Sequence, residues 1–382
     1  MSFNIKGAFA NLWSRSKIDW ILFASVLPLV FAGLITMNSF VSQNYFFQKQ
    51  LIWLLVSVLT FFVLSFFDFR FFRKTGVLLS FFAISVLLLT FLFVTSSIKG
   101  AQSWFDLGVF AFQPADLVKL VLILLLSKYF SKRHIEIANV RHILVSGFYA
   151  FVFFVLVLLQ PDFGSAIIIF LIWFGMVLVS GISKKHLLAV FLVGAVAFAG
   201  LWFYVFGDYQ KQRIITFIHP MADIQGAGYN AYQSTIAVGS GQLLGKGVGF
   251  GTQSRLQFLP EYETDFIFSA FAEEWGFVGI VFLFIFFGIV IWRILINAAK
   301  GASNFEVLFG LGLAIMFISH FVIHVGMNIG LLPVTGITIP FMSYGGSHLL
   351  VEFIGLGILM GMRRYSRVVH RDDMHNEFLG ID

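Results

Sequence analysis

The chain has 382 residues, of which 59% are hydrophobic and 12% charged, with a formal net charge of +6 and no cysteine; its mean hydropathy is +0.92. No soluble domain needs that much apolar surface, so an ordinary globular protein is excluded, as are disulfides and thiol chemistry. The basic residues are scattered over short connections and lack the clustered face that binds nucleic acid, which leaves anionic lipid headgroups as the simpler partner for the positive charge.

In chain order, the segment 3–13 places Phe3, Ile5, Phe9, Leu12 and Trp13 among polar residues, a pattern that suits either an interfacial segment or a disordered tail. Ten apolar runs follow, near 20–38, 51–67, 77–95, 115–129, 143–159, 164–181, 187–206, 266–296, 305–332 and 340–362. Runs of this kind cross the ~30 Å hydrocarbon layer as helices. The first exceeds a signal-peptide core in length and lacks a small-residue cleavage site, so it reads as a retained span. The expectation is an all-α polytopic membrane protein of ten transmembrane helices forming one domain, 1–382. With the N-terminus inside, 18 of the 25 Lys and Arg residues fall in inner segments, including Arg70, Arg73, Lys128, Arg293 and Arg363. That bias predicts cytoplasmic tails at 1–19 and 363–382 and a long extracytoplasmic loop, 207–264, between helices 7 and 8.

Chemistry-bearing residues gather in four places. The fourth span opens with Gln113-Pro114-Ala115-Asp116-Leu117-Val118-Lys119, which puts Asp116 and Lys119 on one helix face. Ionisable groups at a membrane edge keep a partner or a task, so this is either a local ion pair that fixes packing or part of a site. The long loop carries Lys211, Arg213, Lys246 and Arg255 against Asp208, Asp223, Glu261 and Glu263, and loops of that length usually carry function. Its formal charge is zero, so any anion it binds must be held by local geometry. Within it, 229–238 has the makings of a helix resting on the bilayer.

The glycine run Gly239-Ser240-Gly241-Gln242-Leu243-Leu244-Gly245-Lys246-Gly247 fails the nucleotide-loop spacing: Ser240 stands where a Gly is needed and Gly247 follows the Lys. Its amides either cradle a phosphate or form a flexible turn. At Leu259-Pro260-Glu261-Tyr262-Glu263-Thr264-Asp265-Phe266 a carboxylate cluster meets the start of an apolar helix. Asp265 is there either a poised base or an ordinary helix cap.

Further on, His320 and His324 lie one turn apart, which is metal-ligand spacing, but only His348 offers itself as a third ligand and an interhelical hydrogen-bonding role is favoured. Glu273, Glu274 and Glu352 fall within spans and are expected to face the protein interior. The 51 Phe and 35 Gly residues are expected to cover lipid-facing surface and to permit close helix packing.

Several blocks recur in a known order: Tyr209-Gln210 with Arg213, Gly228-Tyr229, Gln233-Ser234, Gly251-Thr252-Gln253-Ser254, Leu259-Pro260-Glu261, Thr264-Asp265-Phe266-Ile267-Phe268, Glu273-Glu274, Pro333-Val334-Thr335-Gly336 and Ser343-Tyr344-Gly345-Gly346-Ser347. Over nearly its whole length the chain resembles the SEDS family (shape, elongation, division and sporulation), whose members are peptidoglycan glycosyltransferases. The blocks at 251–254 and 333–336 resemble the elongation branch more than the division branch.

The resemblance implies a lipid II polymerase of the bacterial cytoplasmic membrane acting on its outer side. The donor is an α-linked lipid pyrophosphate and the product linkage is β, so one inverting displacement suffices. It needs a base on the acceptor 4-hydroxyl and cations on the departing pyrophosphate. By matching the family blocks, Asp265 takes the base role, Asp116 and Lys119 lie beside that catalytic carboxylate, Lys119, Arg213 and Lys246 are candidates for the pyrophosphate, and Glu261 shapes the loop. No dedicated metal cage is visible, and a divalent cation such as Mg or Mn at the pyrophosphate is the one cofactor the chemistry admits. The implied partner is a class B penicillin-binding protein docking in the membrane against the last third of the chain.

Four positions depart from the family pattern. In Pro114-Ala115-Asp116, Ala115 stands for a serine and Asp116 for a glutamate; Ser103 stands for an arginine in Gly100-Ala101-Gln102-Ser103-Trp104, and His324 for an asparagine. A flippase for the same lipid, or a non-catalytic scaffold, are the competing expectations; a flippase should carry charged groups at mid-membrane on broken helices in two related halves.

Overall fold

The computed structural model describes residues 18–39, 45–94, 103–106, 111–131, 140–205, 207, 211–212, 215–217, 227–256 and 258–379. In hydrocarbon every backbone N–H and C=O must find its partner within the segment, which is why the apolar runs fold as helices. A helix falls on each of the ten expected spans, with ends that differ by several residues: α1 (Trp20–Ser39), α2 (Tyr45–Ser65), α3 (Thr75–Phe91), α4 (Pro114–Ser131), α5 (Val140–Leu159), α6 (Phe163–Val179), α7 (Lys184–Gly200), α10 (Ile267–Ala299), α11 (Asn304–Asn328) and α12 (Gly346–Leu379). Between α7 and α10 lie α8 (Ala227–Ser240) and the single turn α9 (Thr252–Arg255). Among the described residues seven helices are long and apolar enough to cross a membrane by length and composition. Of the other three, α6 has 17 residues, and α4 and α12 carry ionisable side chains among their apolar ones. The expectation of helix alone misses a two-residue antiparallel ribbon, β1 (Phe105–Asp106) with β2 (Ala111–Phe112), in register Phe105↔Phe112.

α11 packs against α4, α6 and α10, with α2 on α12 and α1 on α10. Aromatic pairs knit the centre: Phe287 stacks on Phe321 at 3.9 Å, and Phe317 meets Phe341 edge-on at 5.1 Å. By contrast none of the α7 side chains whose burial is described is buried, and Phe191 meets Phe174 of α6.

Two ends of the bundle are distinguishable. At one, Asp19 caps α1 by accepting from the Ile21 and Leu22 amides and takes bonds from Arg293, at 2.5 Å, and Asn297, at 2.8 Å. Burial pushes the Asp19 carboxyl up, but the Arg293 and Asn297 bonds outweigh it and hold the group below the usual carboxylate range. Arg73 pairs with Glu306 at 2.7 Å on the same end, and Arg293 and Arg363 gather there on Asp19, whereas Arg255 stands on α9 at the other end. The opposite end holds the starts of α2, α4, α6, α10 and α12. There Gln113 of the α4 approach donates to Asp162 at 2.9 Å, and Asp162 caps α6 through the Ser165 amide.

α10 is broken at Gly276, whose φ is +65° and ψ −165°. The break leaves the Phe277 and Val278 amides without helical acceptors, and the glycine run supplies them: Phe277 donates to Gln242 O at 2.9 Å and Val278 to Leu243 O at 3.1 Å. In return Lys246 and Gly247 donate their amides to Glu273 O and Glu274 O. Backbone lies on backbone here, and a Cβ on Gly276 would strike the Gly245 amide. Gly276→Ala therefore carries both a left-handed φ and a steric clash, and is expected to cost about 1–3 kcal/mol. A lower melting temperature in detergent measures it.

Candidate active site

α10 begins two residues after Asp265, yet its N-cap is Phe266 and no side chain of that residue caps it. The first-turn amide of Ser269 is met instead from another helix, by Asn328 Oδ1 at 3.3 Å, with the Ser269 hydroxyl on the same oxygen at 2.6 Å. The other half of the Asn328 amide donates to Asp265 O at 2.9 Å and to His324 O at 2.8 Å. Ser234 of α8 completes the knot, 2.6 Å from the Ser269 hydroxyl and donating to Asn328 O at 2.8 Å. Asn328 thus supplies the cap that Asp265 was one candidate to supply, and it fixes the Asp265 backbone. No motif pointed to Asn328; its place at the last position of α11 is visible only in three dimensions.

The connection between α11 and α12 forms the floor of this site. The apolar pattern places a helix from 340, but α12 starts at Gly346, and 329–345 is held by short turns together with side chains and backbone brought from other elements. His324 Nδ1 lies 2.6 Å from Ile337 O and His320 Nδ1 3.2 Å from Thr338 O. Phe341 donates its amide to Glu352 at 3.0 Å, and Ser343 donates to Thr264 O at 2.9 Å while Tyr344 donates to Glu263 O at 2.9 Å. Gly336, with φ +74°, lies so close to Asp265 that a Cβ there would sit 3.5 Å from its Oδ2. The two histidines therefore take the hydrogen-bonding role favoured for them, and among the described residues no group of three metal ligands gathers.

Behind this floor sits a buried ionic chain. Lys119 Nζ is 3.0 Å from Asp116 Oδ1 and 3.3 Å from His320 Nε2. His348 bridges two carboxylates, 3.3 Å from Asp116 and 3.0 Å from Glu352. Asp116 and Lys119 are each 3% exposed, so they are an interior pair that touches the floor through His320, while Asp265 is partly exposed at the rim.

Lys246 is committed elsewhere: its ammonium lies 2.6 Å from the fully buried Glu273 and 2.9 Å from the Thr252 hydroxyl. Glu273 also accepts from the Thr252 and Gln253 amides, and Glu274 accepts from the Gly249 amide and from Ser39 of α1. With Lys246 and Gly247 donating to α10 and Gly245 to Gly241 O, most amides at the glycine end of the run are directed into the protein, which favours a structural clasp on α10 over a phosphate cradle or a loose turn. Nor does α8 merely rest on a bilayer, since Ser234 and Ala237 are buried on its packed face. Glu261 has φ +46°, and its carbonyl accepts from the Thr264 and Phe266 amides, so its backbone shapes the turn that presents Asp265. Ser103, where an arginine is usual, is buried. Arg213 lies outside the described residues, as do segment 3–13 and most of the loop before α8.

Fold and site define a polytopic helical membrane protein with a partly exposed carboxylate held over a rigid polar floor at one end of its bundle. A family model described as FtsW/RodA/SpoVE cell cycle protein matches residues 17–368. Among curated relatives, the peptidoglycan glycosyltransferase MrdB of Escherichia coli K12 is 38% identical over 274 residues, covering 72% of this chain and 74% of the relative. The probable peptidoglycan glycosyltransferase FtsW of Haemophilus influenzae is 31% identical over 366 residues, covering 92% and 91%. A chain from a peptidoglycan synthase complex that coordinates polymerization and crosslinking superposes with a TM-score of 0.78 at 30% identity, covering 91% of this chain and 98% of that one. The rod shape determining protein RodA of Thermus thermophilus gives 0.69 at 31% identity, over 91% and 97%. The chain belongs to the FtsW/RodA/SpoVE family.

Proposed function

We propose that this protein is a peptidoglycan glycosyltransferase that polymerises lipid II into glycan strands, with Asp265 as the base on the acceptor 4-hydroxyl. The observation that carries the Asp265 assignment is the surrogate cap: α10 is capped by Asn328, so the commonest structural duty of an aspartate at this position is already filled. The carboxylate stands at the rim, on a turn whose backbone is bonded on both sides, which is the preorganisation a proton acceptor requires. Removal of the hydroxyl proton as the new bond forms opposite the departing pyrophosphate inverts the anomeric carbon in one step.

Cations steady the leaving group. Lys119 reaches it only if the floor or the Asp116 pair rearranges, Lys246 only by loosening from Glu273, and Arg213 completes the set. A divalent cation would arrive on the pyrophosphate itself, because Asp116, Glu352 and Glu273 are already engaged by lysine and histidine. Lipid II is the substrate, and the transmembrane helix of a class B penicillin-binding protein is the partner in the bilayer; likeness to a subunit of a synthase complex supports that pairing. The collection of arginines at the end opposite Asp265 supports a cytoplasmic-membrane orientation with both termini inside and the site outside. Similarity to MrdB and RodA, with the blocks at 251–254 and 333–336, supports a role in elongation and cell shape.

Purified protein in liposomes loaded with lipid II tests the reading, with glycan length read on a gel. Polymer supports it, lipid movement without polymer indicates a flippase, and neither product indicates a scaffold. Asn328→Ala, which removes the cap and the bond to Asp265 O, is expected to slow polymerisation about 10²-fold through misplacement of the carboxylate. Lipid II binding should change far less, and comparing the two on one preparation checks it.

A further inference from the structure

We infer that the glycine-rich segment 242–250 is a membrane anchor whose apolar side chains lie among the acyl chains of the leaflet on the Asp265 side. The segment exposes Leu244 (77%) and Phe250 (67%), with Leu243 and Val248 beside them. Exposed apolar side chains on a short loop ordinarily mean nothing by themselves. Here two independent rulers set their depth.

The first ruler is α1. Its 20 residues span about 30 Å, the thickness of the hydrocarbon layer. Its last residue, Ser39, donates to Glu274 at 2.5 Å, the carboxylate that also holds the Gly249 amide. The second is the limb of α10 beyond its break. Residues 277–299 span about 34 Å at one helical rise per residue. The limb is therefore a full crossing in itself, and its hydrocarbon boundary falls at Gly276. Both rulers put the level of segment 242–250 at the edge of the acyl chains.

The lateral position agrees. Leu243 and Gln242 are bonded through their carbonyls to Val278 and Phe277, and those two residues begin the exposed apolar face of α10, at 53% and 57%. The segment thus continues an existing lipid-facing surface. Its backbone suits the place, because several of its amides donate within the protein and need no water. Its one charge, Lys246, is carried by Glu273.

The chain has no cysteine, so Leu244→Cys and Phe250→Cys each give a unique site for a nitroxide label in the full-length protein reconstituted in phosphatidylethanolamine and phosphatidylglycerol liposomes. Val281→Cys, on the exposed face of α10, is the lipid reference. The expected result is that dissolved oxygen relaxes the labels at 244 and 250 several-fold more than a water-soluble nickel chelate does, as at 281. Stronger relaxation by the chelate would place the loop in water and overturn the inference. Shielding from both reagents would mean that protein covers it, and overturns it equally. Leu243→Cys serves as a further position if either variant fails to fold. None of these residues touches the Asp265 site, so the result is independent of whether the protein polymerises lipid II.

Discussion

Asp265→Asn is expected to lower lipid II polymerisation by about 10²- to 10⁴-fold, the usual contribution of a positioned general base. The amide has the same shape and cannot accept the proton. The fold should survive, because the bonds that build this corner come from elsewhere: Asn328 caps α10, Asp265 contributes its backbone carbonyl to Asn328, and Tyr344 and Ser343 bind the carbonyls of Glu263 and Thr264. A melting temperature within experimental scatter of the parent, together with near-complete loss of polymer, is the expected pair of readings. Full polymerisation by the variant would remove Asp265 from the chemistry, and a collapse in stability would return it to a structural role.

Lys119→Met is expected to be the most damaging single change to stability, at about 3–5 kcal/mol, the cost of stranding a buried charge. Lys119 is the only lysine on Asp116 among the described residues, at 3.0 Å, and both are 3% exposed. Removing the ammonium leaves Asp116 and Glu352 sharing His348 alone, with the second Asp116 oxygen already lacking a hydrogen-bond partner. The double variant Lys119→Met with Asp116→Leu should recover much of the loss, because it removes both charges rather than one. Thermal melts of the three proteins in one detergent measure the coupling; a double variant no more stable than Lys119→Met would mean that the pair is not the source of the effect.

Sequence reading was reliable where one physical rule acts alone. Length and hydropathy located α1, α5 and α11 because hydrocarbon leaves an apolar run no alternative to helix. The same reasoning placed α12 several residues early: Pro340, Phe341 and Met342 are as apolar as a span, and nothing local announces that Glu352 and Thr264 take up the hydrogen bonds of that stretch. The Asp116 and Lys119 pair was legible from its spacing of three. Its burial was not, since that depends on His320, Thr338 and His348 arriving from other elements. For the glycine run the amides were recognised and their acceptors were not, because those acceptors are created by a break in α10 some thirty residues away in sequence. Asn328 escaped for a related reason: an asparagine ending a helix is commonplace, and its duty is to a different helix altogether.

The stretch between α11 and α12 stores its shape in the side chains of its neighbours, with no helix or sheet of its own to restore it. Substitution at His320, His324 or Glu352 would therefore reshape the floor beside Asp265 while Asp265 itself stayed the same.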